Sequence, residues 1–329
     1  MPFNKSRVKK ILFITLSNIG DVVLTFPVLD ILIDVFPQAE ISVVVGSRVE
    51  SLFKNNPRIK SVYVYEKRQS LPKIFQWLQT LRREHFDLVV DLRHTMIPFF
   101  LRSRHHTPLV YFKSALRHKK DEHLNRLARV LPFDNALRER RAIAISQSDF
   151  DYVRKLLKKD WGEAQYYVVM APGAANHNKR WSYEKIAQLA DYLIETYHVP
   201  VVFVGGKEDK EMIALVKTQM KQRASDFSGV LTLVELAALL KGSLFFVGND
   251  SAPMHMASYF DRPVLAFFGP TDPGLYGPWS SQSLYFKKQT SCQACRNSKL
   301  PDHTCIDAIE LEEVKQAFRI ENHQVIFKR

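Results

Sequence analysis

Short β-branched runs alternate along the chain with segments whose apolar residues recur at helical spacing. "ILFITL" at 11–16 is followed by apolar positions at a helix-like period over 22–35, then by "ISVVV", "VYVY", a helix-like 71–83 and "DLVVDL". This βαβα rhythm predicts a parallel sheet covered by helices on both faces. The rhythm restarts after the charged stretch "RKLLKKDWGEAQ". There "YYVVMAP" reads as a strand, 182–197 as an amphipathic helix, "VPVVFVGG" as a strand, 207–221 and 233–240 as helices, and "LFFVGN" and "PVLAFFG" as strands. The expectation is an α/β chain of two Rossmann-like domains, 1–160 and 161–329, with the boundary near 155–164.

The length of 329 residues fits two domains of ordinary size. No apolar run approaches the ~18 residues of a membrane span. The basic first ten residues and the short apolar run after them imitate a signal peptide, but the run leads into "SNIGD" without a small-residue cleavage site and reads as a first core strand. Three cysteines clustered near the C-terminus are poor material for a secreted disulfide scaffold, so a cytoplasmic protein is expected. The net charge of +13 is one-sided: residues 1–160 carry 29 Lys+Arg against 16 Asp+Glu, and residues 161–329 carry 18 against 18. Such an excess suits an anionic partner, namely a phosphorylated substrate, a membrane surface or nucleic acid, or a surface charged for solubility.

Ligands of open α/β sheets bind beyond the carboxyl ends of the strands, and several polar loops stand there. In "SNIGDVVLTF" the acidic Asp21 sits where a strand gives way to a helix, as a cap for a helix beginning at Val22 or as a reactive carboxylate. "PGAANHNKRWSYEK" places Lys179 and Arg180 near a helix N-terminus, where cations make sense if an anion lies between them and the helix end. Ser182 is placed to cap that helix, with Lys185 on its solvent face. "VGNDSAPMH" ends a buried strand with Asn249, Asp250 and Ser251, and a helix runs from there through His255. Backbone N–H groups and a hydroxyl at such a terminus receive a phosphate or simply cap the helix. "VGGKED" sets Glu208 and Asp209 after a strand, where a carboxylate accepts from ribose hydroxyls or merely favours the helix dipole. No GxGxxG, Walker lysine motif, GxSxG or HExxH is present. Cys292, Cys295, His303 and Cys305 offer four soft ligands for a tetrahedral metal, and a reduced structural cluster is equally economical.

Taken in order, "SNIGDVVLTFPVLDIL", "NNPRIKSVYVY", "FDLVVDLR", "PGAANHNKRWSYEKIAQLA", "VGGKED", "VGNDSAPMHMASYFDRPVLAFFGPTDP" and the cysteine segment at 292–305 resemble bacterial glycosyltransferase family 9, the ADP-heptose:lipopolysaccharide heptosyltransferases. The resemblance spans nearly the whole chain. It implies a GT-B fold, with the acceptor on the N-terminal domain and the nucleotide-sugar on the C-terminal one, facing across a central cleft. It further implies inverting transfer of heptose from ADP-heptose to the Kdo or heptose of the lipopolysaccharide inner core, with no cofactor or metal required. By the same carry-over Asp21 is the general base, with Gly20 giving clearance for the acceptor. Lys179 binds donor phosphate with Arg180 assisting, Glu208 takes the ribose, and Asp250 contacts the sugar. Ser251 and Ala252 hold the pyrophosphate, and His255 belongs to the same donor set. Family members commonly read Asp-Thr-Gly or Asp-Ser-Gly where this chain has Asp250, Ser251 and Ala252.

The basic N-terminal half then suits an anionic, lipid-borne acceptor at the inner face of the inner membrane, held by Lys67, Arg68, Arg117, Lys119 and Lys120. Two other readings compete with this one. One is a family 9 transferase with another nucleotide-sugar donor or a protein acceptor. The other is a non-catalytic nucleic-acid-binding protein, which leaves the nucleotide-type loops of the neutral half without a purpose.

Overall fold

The computed structural model describes residues 4–66, 70–109, 118–134, 139–162, 165–288 and 305–328. The chain divides into two compact units, Met1–Ala144 and Ile145–Arg329.

In the first unit five parallel strands, β1 (Lys10–Ile14), β2 (Glu40–Val45), β3 (Ile59–Val64), β4 (Leu88–Asp91) and β5 (His105–His106), lie in the order β3-β2-β1-β4-β5. β1 is central, with Ile11 against Ile41 on one side and Leu88 on the other. Ile11, Leu12, Phe13 and Ile14 are all fully buried, as an unbroken apolar run requires when helices cover both faces of a sheet. The connecting helices are α1 (Ile19–Val23), α2 (Phe26–Val35), α3 (Ser51–Lys54), α4 (Leu71–Arg83), α5 (Ile97–Leu101) and α6 (Lys119–Ala128).

The single helix expected from Val22 is therefore two. Thr25 separates them: its hydroxyl donates to the Val22 carbonyl at 2.6 Å and lies 2.7 Å from the Thr15 hydroxyl, while Pro27 in the first turn of α2 brings no N–H. The helix also starts earlier than expected, so Asn18 holds the cap position and Asp21 falls in the first turn.

Asp30 of α2 is fully buried and accepts from the backbone N–H groups of Arg141 and Ala142, each at 2.7 Å. This carboxylate draws the last segment of the first unit back onto α2, and the unit ends just beyond it. The next helix, α7 (Gln147–Trp161), opens on a capping box between Ser146 and Asp149. It packs on α10 (Leu233–Gly242), and the Trp161 indole donates to Ser225 at 2.6 Å. The division lies at 144/145, ahead of the expected 155–164, because residues 154–161 of the charged stretch read as the boundary belong to α7, a helix of the second unit.

That unit holds β6 (Val168–Ala171), β7 (Val201–Phe203), β8 (Ser225–Asp226), β9 (Phe245–Asn249), β10 (Val264–Phe267) and β11 (Ser283–Phe286), all parallel, in the order β11-β10-β9-β6-β7-β8. Between strands run α8 (Tyr183–Tyr197), α9 (Lys210–Gln219), α10, α11 (Ala252–Tyr259) and α12 (Pro273–Tyr276). Ser182 caps α8 as its position suggested, accepting from the Lys185 N–H at 3.3 Å. Lys185 does not face solvent: its ammonium donates to the Asp307 and Ile309 carbonyls at 2.7 and 2.9 Å, tying the C-terminal segment to α8. A final antiparallel hairpin, β12 (Phe318–Glu321) and β13 (Gln324–Phe327), turns through Asn322 and His323, both at positive φ as a tight hairpin turn demands.

In both units the first strand lies between the second and the fourth, which is the strand order of doubly wound nucleotide-binding sheets. Both sheets thus have the Rossmann-like topology of a GT-B protein. Among the described residues no helix is long and apolar enough to cross a membrane.

Candidate functional site

In the second unit the topological switch falls between β6 and β9, so the loops leaving these two strands diverge and open a crevice at their carboxyl ends. Asn249, the last residue of β9 and fully buried, fastens the β6 loop: its amide donates to the Pro172 carbonyl at 2.7 Å and its oxygen accepts from the Trp181 N–H at 3.1 Å. The stretch 173–180 is thereby held beside the start of α11.

Lys179 and Asp250, 71 residues apart, meet in that place. The ammonium donates to the Asp250 carboxylate at 2.7 Å, and their side chains are 25% and 7% exposed. A carboxylate so far removed from water needs such a partner. The His255 ring nitrogen stands 3.8 Å from the other oxygen of Asp250, and the imidazole stacks on Trp279. Ser251 occupies the cap position of α11, yet its hydroxyl donates to the Asn249 carbonyl at 3.1 Å instead of capping the helix. The first-turn N–H donors of α11 are not taken by that side chain, which is what an anion-binding terminus requires. Ala252 opens the helix without a left-handed φ, so glycine is not needed there.

Arg180 belongs to the same loop but donates through Nε to the Ala174 carbonyl at 3.0 Å, bracing the loop. Glu208 lies after β7 in a 3-10 turn, Lys207–Asp209, and is exposed. Its neighbour Asp209 is the carboxylate that packs inward. It accepts from the Gly206 N–H at 2.8 Å, and a Cβ added to Gly173 would fall 2.5 Å from its Oδ1. Trp279 was not singled out from the sequence, and Asn249 and Asp209 were named there only as polar residues of their loops, without the contacts that they make. The glycine at 173, which leaves room for Asp209, was the one sequence signal for that contact.

In the first unit the switch lies between β1 and β4. The β1 loop carries Gly20 and Asp21, both half-buried, and the Asn18 amide donates to the Asp21 carboxylate at 2.9 Å. The β4 loop is fixed by Asp91, buried, which accepts from the N–H groups of Arg93 and Thr95 at 2.8 and 2.7 Å and from the Thr95 hydroxyl. His94 follows at positive φ, its ring in contact with the Arg126 guanidinium, and Arg126 is buried and donates to the Pro108 carbonyl at 2.7 Å. Burial and the Arg126 charge hold the His94 imidazole below its ordinary value. Burial, followed by the charges of Lys119, His94, Arg126 and His118, pushes His123 down to about 3. Burial and the neighbouring cations thus favour the neutral form of both His94 and His123.

Lys119 and Lys120 open α6 and are each paired, with Glu122 at 2.8 Å and Asp121 at 3.1 Å. Lys67, Arg68 and Arg117 lie outside the described residues, as do Cys292, Cys295 and His303. Cys305 is described, in a 3-10 turn Cys305–Ala308, and among the described residues no three potential ligands group around a metal position.

The family model described as Glycosyltransferase family 9 (heptosyltransferase) matches residues 74–304. A lipopolysaccharide heptosyltransferase 3 of Escherichia coli is 25% identical over 293 residues, covering 81% of this chain and 85% of its own. Among solved structures, a glycosyl transferase family 9 protein from Veillonella parvula superposes with a TM-score of 0.80 at 24% identity, covering 94% of this chain and 95% of the other. The E. coli ADP-heptose lps heptosyltransferase II superposes with a TM-score of 0.70 at 22% identity, covering 93% and 98%.

Proposed function

The chain belongs to glycosyltransferase family 9, and from that premise we propose that it transfers heptose, with inversion, from ADP-heptose to the Kdo or heptose of a lipopolysaccharide inner core. The observation that carries this reading is the Lys179–Asp250 pair at the β6/β9 switch point, beside the uncapped start of α11. A nucleoside diphosphate supplies what that place lacks: an anion for the helix terminus and for the outer side of Lys179.

In this mechanism the second unit holds the donor. The ammonium of Lys179 and the first N–H groups of α11, beginning at Ala252, meet the diphosphate and match the charge it gains as the glycosidic bond breaks. Ser251 turns its hydroxyl from the Asn249 carbonyl to a phosphate oxygen. Asp250, anchored by Lys179, accepts from a sugar hydroxyl, with His255 packed behind it, and Glu208 accepts from the ribose. Arg180 keeps the β6 loop in shape. The first unit holds the acceptor, with Asp21 taking the proton of the attacking hydroxyl while Gly20 leaves room for the sugar. General-base help of this kind is worth about 10² to 10⁴ in rate. One carboxylate is enough, because the leaving diphosphate needs no protonation once its charge is matched.

Lys119 and Lys120, together with Lys67, Arg68 and Arg117, provide the cationic field for an acceptor that carries carboxylates and phosphates on a lipid. In this reading the protein works in the cytoplasm at the inner face of the inner membrane.

The test offers purified protein ADP-heptose, UDP-sugars and GDP-sugars with truncated core acceptors, wild type beside Asp21→Asn. Heptose transfer from ADP-heptose alone, lost by two or more orders of magnitude in Asp21→Asn with ADP affinity intact, is the expected result. Near-wild-type kcat in Asp21→Asn removes the base assignment, and turnover of another donor or of a protein acceptor replaces the substrate reading.

A further inference from the structure

Five of the large apolar side chains left exposed among the described residues lie on one small part of the first unit: Leu71 and Phe75 of α4, and Met96, Phe99 and Phe100 at α5, each between 50% and 81% exposed. The two helices pack on each other. The inner stripe of α4 is anchored, with Leu81, Leu78 and Trp77 joining the core formed by Leu12, Ile14 and Val44. Positions 71, 75, 79 and 82 share a second stripe of the same helix, and this one is exposed. Beside it is a cavity of about 470 Å³, whose lining includes the apolar Phe75, Leu78 and Phe100 and the basic Arg82, Arg83 and His85. Exposed apolar side chains gathered in this way mark an interaction surface, whereas single ones need no explanation.

The charge that the two helices themselves carry has one sign: α4 and α5 hold no Asp or Glu, and the first acidic residue beyond α4, Glu84, is paired with Lys10 at 3.2 Å. Lys73, Arg82, Arg83 and Arg102 are exposed on the helices that carry the apolar residues or directly at their ends. A second copy of the chain would bring the same cations face to face, which disfavours a symmetric dimer through this surface. An anionic lipid surface satisfies both properties at once: its phosphates match the cations and its acyl boundary takes the rings, as for basic amphipathic helices lying in the plane of a bilayer.

We propose that the α4–α5 face of the first unit docks on an anionic phospholipid bilayer, with Phe75, Phe99 and Phe100 entering the boundary between headgroups and acyl chains and Arg82 and Arg83 meeting lipid phosphates. This rests on the proposed function only in expecting a lipid-borne acceptor; the docking itself needs no turnover. Phe99 and Phe100, at neighbouring positions of a short helix packed against α4, act as the wedge.

The experiment is flotation of the full chain with phosphatidylcholine vesicles, with and without phosphatidylglycerol. Wild type, Phe99→Ser/Phe100→Ser and Arg82→Glu/Arg83→Glu are compared, each checked for an unchanged melting temperature. Wild type floats with the phosphatidylglycerol vesicles, and each double variant loses roughly tenfold or more of that partition, while transfer to a delipidated, water-soluble acceptor stays at the wild-type rate. Failure of the wild type to float, or flotation of both variants as well as wild type, overturns the proposal. A concentration-dependent dimer that Phe99→Ser/Phe100→Ser dissolves, without flotation, overturns it in favour of a second copy. Flotation without sugar transfer leaves this docking standing and sinks the proposed function; transfer without flotation does the reverse.

Discussion

Removing the ammonium of Lys179 separates two roles that its contact with Asp250 combines. The Asp250 side chain is 7% exposed and Lys179 lies 2.7 Å away at 25% exposure, so Lys179→Met leaves a carboxylate in a poorly hydrated place without its nearest cation. Breaking a fully buried pair costs about 3–5 kcal/mol. The part of Lys179 that still meets water screens the interaction, which lowers the expectation to about 2–3 kcal/mol. For a unit of this size each kcal/mol moves the melting temperature by about 2–4 °C, so calorimetry should find a fall of roughly 5–10 °C. Titration with ADP should find affinity lower by about 10- to 100-fold, the worth of one charge-assisted bond to phosphate. The double variant Lys179→Met/Asp250→Asn then divides the two effects. With the carboxylate neutralised, most of the lost stability returns, but ADP affinity does not, because the diphosphate still lacks its cation. If the double variant regains ADP affinity together with its melting temperature, Lys179 is only a counter-ion for Asp250 and the donor-binding argument fails.

Other consequences are open to direct measurement. Asp30→Ala strips the acceptor from two buried N–H groups, and denaturant unfolding of the first unit should show a loss of about 2–5 kcal/mol; a loss under 1 kcal/mol would mean water replaces the carboxylate. His123 is held neutral down to about 3, below its unfolded value near 6.5. Its contribution is intact above pH ~6.5 and is lost as pH falls from there toward 3, by up to about 4 kcal/mol, since only the unfolded chain takes up the proton. A His123→Phe variant should flatten stability between pH 4 and 7, and a slope equal to wild type refutes that assignment. Gly173→Ala drives a methyl group into Asp209 and should cost about 1–3 kcal/mol, much of it recovered in Gly173→Ala/Asp209→Ala; equal melting temperatures for Gly173→Ala and wild type would mean the turn simply shifts.

Much of the architecture was legible in the sequence because parallel strands buried on both faces leave unbroken apolar runs, as "ILFI" and "VVMA" do. The polar loops "SNIGD" and "GNDSA" were legible as sites because they follow such runs directly. What escaped was set by contacts of particular side chains, which periodicity and charge counts do not register. The break at Thr25 is accompanied by a contact with Thr15, the residue just after β1, and periodicity alone carries the helix straight through it. Lys185 looks like a solvated helix residue until the carbonyls of 307 and 309, more than 120 positions away, are placed beside it. The ion pairs that occupy Lys119 and Lys120, with Glu122 one helical turn on and with the adjacent Asp121, are ignored by a count of basic residues. Asp209 rather than Glu208 packs inward because the choice depends on the space left by Gly173.

The position of α7 bears on how halves of such proteins can be recombined. A hybrid that joins this second unit to a foreign first unit at residue 161 would discard a helix that covers α10 and would remove the indole that bonds Ser225. It would expose the apolar side of α10 to solvent, whatever the quality of the new junction. A seam placed just before Ser146 keeps the capping box and the helix together, so that the transplanted half arrives with its own lid.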